Sequence, residues 1–350
     1  MIITIILFLL IFGIVVISHE FGHFIIGKRN GIRVVEFAVG MGPTLFSFQK
    51  GETKYSLKLL PLGGACMFDG EDGLAEEKGE ADEHSFLSAP VWARIAAVFA
   101  GPFFNFVLAF IFSLIMVAFN GSDRPVIQQV IENSAAKEAG LMSGDEIMKI
   151  NGERTYLARE ITLISALNQG ESMDIQIKRD GQVQSITLTP RYSEEDGRYY
   201  IGLTTGEEIK CNPLQVFQYS VYEMRYWVKM TYKSLLMMLQ GRVSKDDVSG
   251  PIGIAQMVGD NYEIAKTYGT SSVIFTMMNI VILLSVNLGI LNLLPIPALD
   301  GGRLVFMFIE VIRGKPIAPE KEGMVHFAGL VVLMLLMVFV MYNDIMRIIH

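Results

Sequence analysis

The sequence is short of cysteine, of histidine and of clustered positive charge, and each shortage closes a class of explanation. Two cysteines in 350 residues, Cys66 and Cys211, are too few for a disulfide framework or a thiolate zinc module. A net charge of −7, with the basic residues scattered, offers no face suited to nucleic acid. No lysine or arginine occurs before Lys28, so the N-terminal apolar run lacks the basic start of a cleaved leader. It also lacks a small-residue cleavage site and is expected to be a retained helix.

Apolar surface is what the chain has in quantity. Hydrophobic residues make up 51% of it, and the mean hydropathy is +0.40, too apolar for an ordinary soluble protein. Four runs, at 2–26, 95–119, 273–294 and 327–342 with its flanks, meet the roughly 20 residues needed to cross a bilayer. Lysine and arginine gather at 27–90 and again after Asp300. The positive-inside rule therefore places those two segments in the cytoplasm, with the N-terminus and the polar middle outside.

The few histidines are spent unevenly. Of five, two fall in His19-Glu20-Phe21-Gly22-His23, inside the first apolar run. On a helix, positions i and i+4 share a face, so both imidazoles can hold one Zn²⁺ while Glu20 polarises a bound water, an arrangement suited to peptide hydrolysis. Ionisable side chains at membrane depth cost about 2.5–3.5 kcal/mol each on insertion scales, so three in five residues need partners.

A catalytic zinc site takes three protein ligands. The third apolar run ends in Asn292-Leu293-Leu294-Pro295-Ile296-Pro297-Ala298-Leu299-Asp300-Gly301-Gly302, where two prolines and two glycines surround a carboxylate. Unwound backbone of that kind is tolerated at depth only inside protein or beside water. Asp300 is the candidate third ligand, although Asp-Gly by itself also reads as a turn. In the second run Gly101 and Asn105 stand four apart, a pair that helix packing alone would explain.

Between these runs the pattern changes. Residues 34–60 alternate β-prone stretches with Gly and Pro and turn at Lys50-Gly51-Glu52, giving an apolar hairpin. Two readings fit it: a sheet packed under the helices, or a sheet dipping into the membrane whose edge pairs with an extended substrate. Residues 70–84 are acidic and read as a solvated linker. Residues 213–240 mix Met and aromatics with Glu223, Arg225, Lys229 and Lys233, as an interfacial amphipathic helix would; a fifth span is the alternative.

Two resemblances follow. Ser134-Ala135-Ala136-Lys137-Glu138-Ala139-Gly140-Leu141, Gly144-Asp145-Glu146-Ile147 and Ile150-Asn151-Gly152 resemble a PDZ domain of the bacterial protease type. HExxH, Gly101-x-x-x-Asn105, the PDZ-like insert and Asn-x-x-Pro-x-Pro-x-x-Asp-Gly, in that order, resemble the site-2 protease family of intramembrane zinc metalloproteases. Gly40-Met41-Gly42-Pro43, Leu60-Pro61-Leu62-Gly63-Gly64 and Ser249-Gly250-Pro251-Ile252 extend the likeness over nearly the whole chain, which departs from the best-known bacterial pattern in having one PDZ-like domain rather than two.

The family resemblance implies that His19, His23 and Asp300 ligate Zn²⁺, that Glu20 is the general base, and that Asn105 and Asn292 position substrate. It further implies single-span membrane substrates, such as anti-sigma factors and remnant signal peptides, cut in a bacterial cytoplasmic (inner) membrane near its cytoplasmic side. A peptide ligand of the outer PDZ-like domain would be a second partner. The expected fold is a polytopic α-helical membrane protein with about four transmembrane helices, a membrane-associated β-hairpin region and one inserted PDZ-like α+β domain. The divisions are helix 1 at 1–26, the β region and linker at 27–90, helix 2 at 91–120 and the PDZ-like domain at 121–210. An amphipathic region at 211–271, helix 3 at 272–303, a cytoplasmic loop at 304–323 and helix 4 with a tail at 324–350 follow.

Overall fold

The structure is a computed structural model that describes residues 2–71, 83–168, 170–194, 198–242 and 248–349. Most of the acidic linker, 72–82, lies outside the described residues. In chain order the elements are α1 (Ile2–Arg29), β1 (Val34–Lys50), β2 (Thr53–Phe68), α2 (Val91–Asn120), β3 (Ser122–Val130), α3 (Ala135–Glu138), β4 (Glu146–Ile150), β5 (Glu153–Arg154), α4 (Ala158–Leu167) and β6 (Met173–Arg179). Next come β7 (Gln182–Leu188), β8 (Arg191–Ser193), β9 (Arg198–Tyr200), β10 (Leu203–Ile209), α5 (Pro213–Leu239), α6 (Pro251–Thr267), α7 (Thr270–Asn292), α8 (Asp300–Arg313) and α9 (Pro319–Ile349). They divide into two compact units, one made of 1–112 with 231–350 and the other of 113–230.

Among the described residues four helices are long and apolar enough to cross a membrane: α1, α2, α7 and most of α9. α5, with its charges, is not one of them. Within the first unit, α1 packs with α6 and α7 through Ile11, Val15, Val258, Met277, Ile280 and Val281. Hydroxyl groups add polar links: Ser18 Oγ donates to the Phe104 carbonyl at 3.1 Å and Ser285 Oγ to the Asn105 carbonyl at 2.9 Å. Such bonds matter where lipid offers no partner of its own. The Ser249-Gly250-Pro251-Ile252 motif opens α6, and the buried Asp344 of α9 accepts hydrogen bonds from its Gly250 and Gly253 N–H groups at 3.2 and 2.8 Å. A carboxylate from another helix thus caps a helix start that Gly and Pro cannot cap themselves.

β1 and β2 form the hairpin expected at 34–60, turning at Gly51, and β2 runs on to Phe68. The pairing is folded: Phe37 faces Cys66 on one side and Tyr55 on the other, while Phe48 also faces Tyr55. The stretch 34–39 is therefore flanked by 54–57 and by 64–68, and the latter forms an edge beside α1. Leu45, Phe46, Phe48, Leu59 and Leu60 toward the turn are exposed.

The segment expected at 272–303 as helix 3, with unwound backbone around its prolines and glycines, is divided in two. α7 stops at Asn292, the backbone is non-helical through Leu299, and α8 begins at Asp300. The segment 304–323, expected as a loop, is helical to Arg313. Leu304 and Met307, three apart, are buried with Ile32, Phe68, Phe86 and Val98, and Glu310 pairs with Arg94 of α2 at 2.5 Å. An apolar stripe at helical spacing is what holds α8 in place.

The second unit is an antiparallel sheet ordered β10-β3-β4-β6-β7, with β5 beside β4 and a separate β8-β9 pair. Alternate residues Ile147, Met173, Ile175 and Ile177 are buried with Ala136, Leu141, Ile161 and Ile164, the period-2 pattern of a sheet with one covered face.

Candidate metal centre

The centre is built from three elements of the first unit. α1 brings His19 and His23 onto one face, both buried, and the start of α8 brings Asp300. Asp300 Oδ2 lies 3.2 Å from His19 Nε2 and 3.5 Å from His23 Nε2, and the two Nε2 atoms are 3.2 Å apart. Ligand atoms about 2.0–2.1 Å from a tetrahedral zinc lie about 3.3 Å from one another, so these separations fit that ion. Asp300 Oδ2 is buried and takes no hydrogen bond, which leaves its lone pairs for a cation. Among the described residues this is the group of His, Cys, Asp and Glu side chains that converges closely enough to hold a metal.

The far side of each ring is also fixed. His23 Nδ1 donates to the Ala97 carbonyl at 2.9 Å, leaving Nε2 free to ligate. The side-chain amide of Asn105 sits 3.3 Å from His19 Nδ1. The contacting atom is Nδ2, and Oδ1 has no partner among the described residues; with His19 Nε2 turned toward Asp300 the ring proton is on Nδ1, and turning the Asn105 amide over makes its oxygen the acceptor. Asn105, expected to position substrate, is fully buried, and its amide lies against the His19 ring. Asn292 is half-buried, with Nδ2 3.4 Å from His19 Nε2, at the rim of the centre.

Close approach of α1 and α2 depends on Gly101: a Cβ there would lie 2.2 Å from His23 Nε2. Glu20 faces the sheet edge. The Cys66 N–H donates to its carboxylate, and a Cβ on Gly64 would lie 2.7 Å from Glu20 Cγ. The arrangement brings together a three-donor metal cradle, a carboxylate one residue from a ligand, and a β edge beside both. Sequence reasoning found the cradle; it missed the Ala97 carbonyl, which carries no side-chain signal.

Over residues 7–336 the chain matches peptidase family M50. It is 35% identical to the regulator of sigma-W protease RasP of Bacillus subtilis, over 98% of each chain, and 34% identical to the zinc metalloprotease RasP of Geobacillus kaustophilus, again over 98% of each. The alignment with the Bacillus subtilis protein spans 423 residues, more than the 350 of this chain, so that relative has segments with no counterpart here. A solved PDZ domain of an SdrC-like protein from Listeria monocytogenes is similar over 24% of this chain and 86% of its own, at 21% identity and a TM-score of 0.21, a likeness too slight to argue from.

Proposed function

The chain belongs to peptidase family M50 and is a zinc metalloprotease, and we propose that it hydrolyses peptide bonds within the transmembrane segments of single-span proteins. His19, His23 and Asp300 are the zinc ligands in this reading, and Glu20 is the general base. The observation that carries it is the convergence of those three donors, two of them on a helix long enough to span a bilayer and the third at the start of α8, with Glu20 beside them. Zinc, when bound, supplies a Lewis acid that makes water ionisable near neutral pH and polarises a carbonyl. Glu20 takes the proton of the attacking water and returns it to the departing amide nitrogen. Asn105 and Ala97 hold the ligand rings in their metal-binding tautomers, and Asn292, at the rim, positions substrate.

A helical substrate hides its carbonyls in its own hydrogen bonds, so it must unwind before attack. The 64–68 edge supports a way to compensate: the Cys66 N–H points away from β1 toward Glu20, and an extended segment laid along that edge gains backbone bonds as it nears the base. The exposed apolar residues toward the hairpin turn support a sheet that lies against the bilayer.

The substrate classes remain anti-sigma factors and remnant signal peptides. The positive charge at 27–90 and after Asp300 sets the centre on the cytoplasmic side of a bacterial inner membrane. The second unit then lies outside as a PDZ-like filter, taking a peptide along one of its edge strands, β7 or β10. The test pairs wild type with Glu20→Gln on a tagged single-span substrate with a short outer stub, with zinc measured in both. We expect about one zinc per chain in each and cleavage reduced at least about a thousandfold in the variant. Cleavage by Glu20→Gln at the wild-type rate would remove Glu20 from the mechanism.

A further inference from the structure

We propose that His326 is a positioning residue for the metal centre: it holds the non-helical stretch that presents Asp300, by accepting the hydrogen bond of the Ala298 N–H. The proposal rests on Asp300 being a zinc ligand.

Between α7 and α8 the N–H groups of Leu294, Ile296 and Leu299 are satisfied nearby, by the carbonyls of Leu291, Leu294 and Ile296 at 3.1, 2.7 and 3.2 Å. Pro295 and Pro297 have none to offer. Ala298 is the exception. Its φ of 73° is in the left-handed region that disfavours a side chain, and its N–H leaves the stretch altogether to meet His326 Nδ1 of α9 at 2.9 Å. At membrane depth an amide without an acceptor is costly, so this one bond decides whether the strained conformation persists.

A second observation points the same way. Gly329 lies one turn beyond His326 on α9, and a Cβ there would stand 2.5 Å from Pro297 Cβ and 2.7 Å from the Pro297 carbonyl oxygen. The spacing puts His326 and Gly329 on one face, and both contact residues 297–298. No residue of the apolar window of α9 is fully buried, so a polar ring and a missing side chain on the loop side are what distinguish this face from a lipid-facing one. Acceptance at Nδ1 puts the ring proton on Nε2, 3.8 Å from Glu322 Oε1. Ala298 is two residues from Asp300, so releasing it frees the carboxylate that completes the zinc cradle.

The test compares His326→Asn, whose amide oxygen reaches nearly the same point as Nδ1, with His326→Leu, which keeps bulk but removes the acceptor. Full-length protein in detergent micelles is titrated with a zinc chelator, and cleavage of a single-span substrate is followed in parallel. His326→Leu should hold zinc about ten- to a hundredfold more weakly and lose cleavage accordingly, with His326→Asn within about threefold of wild type. Wild-type zinc retention in His326→Leu, or no rescue by His326→Asn, overturns the proposal. Should His326→Leu fail to elute as folded protein, Gly329→Ala serves instead: it presses on Pro297 and should weaken zinc retention, and unchanged retention overturns the proposal. Asp300→Ala separates the two claims, because zinc held as tightly without Asp300 would instead refute the ligand assignment on which the proposal stands.

Discussion

At the metal centre, two imidazoles and a carboxylate turn their lone pairs on one point, and Asp300 Oδ2 is buried without a hydrogen bond. Between α4 and α5 of the other unit, buried charge is arranged differently. Glu223 pairs with Arg159 and Glu160 with Arg225 at 2.8 Å, while the exposed Glu153 of β5 pairs with Lys229 at 2.6 Å. The fully buried Glu160 also accepts from the N–H groups of Tyr156 and Leu157 at 2.5 and 3.2 Å. Arg159 lies 4.4 Å from the Tyr226 ring centroid. Burial of charge alone therefore does not mark a functional site. What separates the two regions is the partner: Glu160 and Glu223 face guanidinium groups that neutralise them, whereas Asp300 Oδ2 faces two imidazole nitrogens, and three such donors together call for a cation that the chain does not supply.

The comparison breaks most sharply at Gly101. Gly101→Ala puts a methyl group 2.2 Å from His23 Nε2, so zinc retention should fall more than about a hundredfold and cleavage below detection. Gly13→Ala, also in a membrane helix but with nothing within 4 Å, should change neither; equal loss in both would show that helix composition, not the cradle, is at stake. The ionic cluster should respond through stability instead. Glu223→Gln removes the ion-pair partner of the half-buried Arg159 and leaves it Asp123 and Glu160; it should cost about 1–3 kcal/mol, read as faster hydrogen exchange over α4 in the full-length protein. Replacing both partners with apolar residues should cost little. Zinc content should not move in either case, and if it does, the two regions are not independent.

This contrast was only partly legible in the sequence. HExxH puts two imidazoles on one helix face by geometry alone, and the prolines and glycines around Asp300 signal broken backbone at a place where breakage needs a reason. α8 was hidden because Arg303, Arg313 and Lys315 read as a basic loop, although Leu304 and Met307 already stood at helical spacing. The partners of Asn105 and Ala298 were invisible: they join positions 86 and 28 residues apart, and no local pattern encodes which buried amide meets which ring. The charges of α5 argued against a comfortable span, but their pairing with α4 depends on the packed structure.

Asp123 of β3 is the place to sharpen the comparison, because it lies on the margin of the neutralised set. Burial pushes its carboxyl above the usual aspartate range, and this outweighs the opposing pull of Arg159 and of the N–H groups of Asp123 and Ala158; Glu208 adds to the rise. A carboxyl raised in the fold contributes stability while protonated, fully so below about its ordinary 3.8, and loses it as pH rises through the folded value. Ionised Asp123 is therefore a net burden at neutral pH. Asp123→Asn, which keeps an oxygen for the same N–H groups, should slow amide exchange in β3 and β10 modestly, about two- to threefold at pH 7. That gain should vanish below pH 3.8, where wild-type Asp123 is itself neutral. A gain that persists in acid would trace to packing rather than charge. Faster exchange in Asp123→Asn at pH 7 would instead mean that Arg159 needs this anion as well as Glu223, and Asp123 would then belong with the carboxylates that the fold has already consumed.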